Sequence, residues 1–79
     1  MAGSRGSWRG ESLSLGARAI VKLLRDAPDA RLVYEDALAE WHVVLPDARS
    51  LDYTKFCGDQ LVEGGYVLAN GDGGYRLVP

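Results

Sequence analysis

A chain of 79 residues with formal net charge −2 has room for one domain and carries no overall basic footprint of the kind a free-standing nucleic-acid binder usually shows. Apolar residues make up 47% and charged residues 25%, a globular balance that argues against disorder, and no apolar run reaches the roughly 18 residues of a membrane span. The N-terminus lacks the apolar core of a signal peptide, and the single Cys57 cannot form an internal disulfide, so a cytoplasmic location away from the membrane is expected.

Residues 1–11 are glycine, serine and arginine around Trp8, and are expected to be a flexible tail ahead of one domain over residues 12–79. The first helix is expected from about Ser14 to Ala27. Ser12 or Ser14 can cap it, and Pro28 stops it. At 100° per residue Ala17, Ile20, Leu23, Leu24 and Ala27 share its inner face, and Arg18, Lys22 and Arg25 share the outer one. Arg31-Leu32-Val33 reads as a short strand. A second helix is expected from about Tyr34 to Trp41, because Val33, Ala37, Leu38 and Trp41 recur at helical spacing, with Glu35, Asp36 and Glu40 outside. Ser50 can cap a third helix over about Leu51–Glu63. Tyr53, Phe56, Cys57, Gln60 and Leu61 form its inner face, and Lys55, Gly58, Asp59 and Val62 look outward. Gly64-Gly65 ends it. Tyr66–Ala69 and Gly74–Val78 then flank Asn70-Gly71-Asp72-Gly73, a hairpin turn signal.

The run from Leu61 to Leu77, an apolar helix end, a glycine, a strand, a Gly-rich turn and Tyr75-Arg76-Leu77, resembles the winged-helix superfamily. Tyr53, Phe56 and Leu61 ahead of the hairpin are similar to the LOTUS-type winged helices of RNA-associated proteins. The resemblance covers residues 14–78. It implies an α+β fold of three helices with a C-terminal two-stranded wing, and a third helix that reads nucleic acid. The expected core is Ile20, Leu23, Leu24, Leu38, Trp41, Phe56, Leu61 and Leu77.

The charge pattern fits that third helix poorly, since Lys55 stands alone against Asp52, Asp59 and Glu63. Candidate nucleic-acid contacts are therefore Arg18, Lys22 and Arg25, with Arg5 and Arg9 from the tail, Lys55, and Arg76 of the wing. The function expected is a small nucleic-acid-binding or transcription-regulatory module. The alternative is a protein-interaction module that docks through Trp8 or through the acids Glu35, Asp36, Glu40 and Asp59. The oligomeric state is left open, a dimer included.

No enzyme is expected. His42 and Cys57 are the only residues that could form a nucleophile–base pair, and Cys57 reads as a small core hydrophobe. One cysteine and one histidine cannot supply a four-ligand zinc site, and the glycines at 71, 73 and 74 precede no helix that would bind phosphate. No cofactor or metal is expected.

Overall fold

The computed structural model describes residues 13–71 and 73–78. In chain order it forms helix α1 (Leu15–Asp26), strands β1 (Arg31–Glu35), β2 (Glu40–Val44) and β3 (Ser50–Thr54), helix α2 (Lys55–Glu63), and strands β4 (Val67–Ala69) and β5 (Tyr75–Leu77). The strands make one sheet in the order β3-β2-β1-β5-β4, and every neighbouring pair is antiparallel. Among the described residues no helix is long and apolar enough to cross a membrane.

Among the described residues, two helices on a five-stranded sheet replace the expected three helices and wing, so the fold is a β-rich α+β arrangement rather than a winged helix. The expectation fails in the middle of the chain. Residues 31–35 and 40–44 alternate with period two, placing Leu32, Tyr34, Trp41 and Val43 on one face. Their β-branched and aromatic side chains suit a pleated surface packed on one side. The strands pair from Arg31↔Val44 to Glu35↔Glu40. Leu38 and Ala37, expected inside a helix, sit exposed at the turn between them, where Leu38 N–H donates to Glu35 O at 3.2 Å and Ala39 N–H to Asp36 O at 3.2 Å. The expected third helix is shorter than predicted, because Ser50–Thr54 is spent on a strand paired with β2.

The first helix and the C-terminal hairpin form close to where they are expected. Ser14 caps α1, its Oγ accepting from Ala17 N at 3.1 Å. The C-terminal hairpin closes with Asn70 N–H donating to Gly74 O at 2.9 Å. Gly71 and Gly73 take the positive φ values, 79° and 91°, that this turn requires. The hairpin is no free wing, however. β5 also pairs with β1 through Leu32↔Tyr75, which makes it part of the main sheet.

Both helices pack on one face of the sheet and on each other. The core between them contains Ala17, Ile20 and Leu24 of α1, Leu32, Trp41 and Val43 of the sheet, and Leu61 and Val67. Of the expected core, Ile20, Leu24, Trp41 and Leu61 are buried, Leu23 and Leu77 are half-buried, and Leu38 and Phe56 are each 61% exposed. The phase of α2 is rotated from that expected: it turns Gly58 and Leu61 inward, not Phe56. Trp41 explains why, since its ring lies flat against the space a side chain at Gly58 would fill.

Ala39 ends the β1–β2 turn at φ 53°, a left-handed conformation that costs a residue with a Cβ about 1 kcal/mol. Ala39→Gly is therefore expected to raise stability by roughly 0.5–1 kcal/mol, read from the denaturant midpoint. In a helix over 34–41 the same change would lower stability by about 1 kcal/mol, so the sign distinguishes turn from helix.

Candidate nucleic-acid interface

Burial of Ala17, Ile20 and Leu24 fixes the roll of α1. Ser14 N–H donates to Gln60 Oε1 at 2.9 Å and ties the start of α1 to α2. With that face inward, Arg18, Lys22 and Arg25 are exposed together on the outer side. They line a groove of about 390 Å³ with Leu13, Val21, Asp26 and Tyr66. Tyr66 is held there by its backbone: its N–H donates to Leu61 O at 3.0 Å, and its carbonyl accepts from Val78 N at 3.0 Å. Its ring also lies over Gly64, where an added Cβ would come within 2.7 Å of it. The groove therefore offers cations along one wall, aliphatic side chains and an aromatic ring. Lys22 bridges Asp26 at 3.3 Å, but at 77% and 61% exposure this pair contributes little and is readily exchanged for another anion.

The other cations named from the sequence lie elsewhere. Lys55 Nζ donates to Asp59 Oδ2 at 2.6 Å. This bond raises the lysine's pKa and is the main cause of the aspartate's lowered one, while desolvation opposes the latter and a hydrogen bond from Trp41 supports it. Asp59 Oδ1 accepts from Trp41 Nε1 at 3.1 Å, so the pair braces the core tryptophan. Arg76 lies on the face of the sheet away from the helices. One of its guanidinium nitrogens donates to Pro28 O at 3.1 Å and to Ala30 O at 3.4 Å, pinning the α1–β1 connection. Arg5, Trp8 and Arg9 lie outside the described residues.

The acids expected on a second helix sit instead on the β1–β2 hairpin. Glu35 and Glu40 face each other across its last rung, with Asp36 in the turn. Asp59, grouped with them in the sequence reading, is on α2 and engaged with Trp41 and Lys55. His42 and Cys57 are not brought together. Cys57 Sγ lies on the helix-bearing side, 3.6 Å from Ser14 Oγ and 3.4 Å from Thr54 Oγ1, whereas His42 alternates with buried Trp41 and Val43 and faces the open side. Tyr66 is the groove residue that sequence reasoning passed over. Its cue was an aromatic directly after the helix-ending Gly64-Gly65, which returns the chain beside α1.

Comparison with protein-family models, with curated proteins and with solved structures finds no match to this chain.

Proposed function

We propose that the protein is a small binding module that takes a nucleic-acid strand along the outer face of α1. The observation that carries this reading is the convergence of Arg18, Lys22 and Arg25 on one groove that also presents Tyr66. Guanidinium and ammonium groups are the usual partners of phosphate, and aromatic rings take bases by stacking. Arg18 to Arg25 spans about 10 Å of helix, the length of about three stacked nucleotides. Cations along a groove beside an aromatic ring match the pattern by which single strands are bound, phosphates on the cations and a base on the ring. The excess of acids over bases in the whole chain is kept off this groove, where Asp26 is the one acid among the described lining residues.

The test is a fluorescence-anisotropy titration of a short single-stranded oligonucleotide at several salt concentrations. Three phosphate contacts predict log K falling with log salt at a slope of roughly −2. Affinity independent of salt, or no binding at low salt, contradicts the proposal.

A second reading, docking of another protein, is favoured by the β1–β2 turn, where Leu38 is 61% exposed between Glu35, Asp36 and Glu40. An apolar residue ringed by acids fits a basic socket on a partner. A pull-down with nuclease treatment separates the two readings: a partner kept after nuclease and lost on Leu38→Asp supports this one.

A further inference from the structure

The open face of the sheet carries a donor cluster that the proposed interface does not use. β2 alternates, so Glu40 and His42 point to this face while Trp41 and Val43 point into the core. Asp52 of β3 is the register partner of His42, and Glu40 lies two residues along β2 from it. One ligand atom from each of Glu40, His42 and Asp52 falls within 4.8 Å of the other two. His42 Nδ1 lies 2.6 Å from Asp52 Oδ1. An ionised carboxylate only accepts, so the ring N–H at Nδ1 donates; an ion held jointly by the ring and Asp52 takes the place of that proton at Nδ1.

We propose that Glu40, His42 and Asp52 form a binding site for a divalent transition-metal ion of the zinc class. Bonds from a zinc ion to imidazole nitrogen and carboxylate oxygen are about 2.0–2.2 Å, so bound ligand atoms lie roughly 3 Å apart. Asp52, 63% exposed, is free to rotate toward that spacing, while His42, 18% exposed, is held in place by the sheet and gives the ion a fixed anchor. The nitrogen ligand separates this site from a plain carboxylate cluster, and selects zinc-class ions over magnesium or calcium, which take oxygen ligands in larger number. A second feature acts in the same direction. Glu35 and Glu40 are direct cross-strand partners, a like-charge pairing that destabilises a sheet and that a cation on Glu40 would offset. With three protein ligands, water completes the coordination.

The experiment is isothermal titration of the full chain with Zn2+, with Mg2+ as the control ion and Cys57→Ser as the control variant. His42 is the only histidine, so its ring resonances report its ligation without ambiguity. The expected result is one equivalent of Zn2+ bound, no Mg2+ bound, and a shift of the His42 ring signals. Affinity should fall at least about tenfold in His42→Ala and in Glu40→Gln, and stay unchanged in Cys57→Ser. Both site variants change half-buried side chains on the open face of the sheet, outside the core, so either one alone decides the matter should the other misfold. Failure to bind Zn2+ up to about 1 mM overturns the proposal, as does binding lost in Cys57→Ser and retained in His42→Ala.

Discussion

Gly58→Ala is expected to unfold much of the protein at temperatures where the parent is folded. In the middle of an exposed helix, glycine to alanine stabilises by about 1 kcal/mol. Here the sign reverses. A Cβ at position 58 would lie 2.2 Å from Trp41 Cγ and 2.3 Å from Cδ1, closer than any real contact. The indole cannot swing aside. Its Nε1–H donates to Asp59 Oδ1 at 3.1 Å, and its ring meets Tyr34 at 5.0 Å and Tyr75 at 5.5 Å between centroids. α2 must therefore lift off β2, at the cost of an overpacked core, about 1–3 kcal/mol, plus the loss of the Trp41–Asp59 bond, about 1 kcal/mol. A domain of this size has about 4–12 kcal/mol in total. At roughly 4–8 °C per kcal/mol, the melting temperature should fall by about 10 °C or more. A thermal melt checks it. A rise in melting temperature would mean that Gly58 faces solvent, as the sequence alone suggests. Phe56→Ala should by contrast be mild, since its ring is 61% exposed.

These two positions show how the helix phase was misread. Phe56 looks like core because it is large and apolar, and Gly58 looks outward because it has no side chain to bury. Trp41 reverses both assignments by needing a flat place on α2, and nothing at residues 55–63 announces a tryptophan from another strand. α1 was legible because its cap, its apolar stripe and Pro28 are all local signals, and the 67–77 hairpin because Asn70-Gly71 declares its turn. The β1–β2 hairpin was not, for a related reason. Its turn, Asp36-Ala37-Leu38-Ala39, contains no glycine or proline and consists largely of good helix formers, and Ala39 adopts its left-handed φ without the residue that usually marks one. The α1 cations were readable from spacing alone. The cluster of Glu40, His42 and Asp52 was not, because it exists only once β2 and β3 pair in register.

The second large effect concerns the groove. A triple variant, Arg18→Gln, Lys22→Gln and Arg25→Gln, is expected to abolish oligonucleotide binding. Each hydrogen bond from a charged group to phosphate contributes about 1.5 kcal/mol or more, close to tenfold in affinity, so removing three costs about a thousandfold. The residual salt dependence should be nearly flat. The loss would not come from unfolding, because all three side chains are exposed and such surface changes usually stay within about 0.5 kcal/mol. Lys55→Gln is the matched control. Its ammonium group is engaged with Asp59 on α2, outside the groove, so binding should be nearly unchanged. Loss of binding in Lys55→Gln alone would move the interface to α2.

Amide chemical-shift mapping tests the central claim most directly. The full chain, isotopically labelled, is titrated with a short single-stranded oligonucleotide at low salt. Binding along α1 predicts perturbed amides from Leu13 to Asp26 and at Tyr66, with Val33 and Val44 on the open face of the sheet unmoved. Perturbations confined to β2 and β3, or to α2 around Lys55 and Asp59, would contradict it.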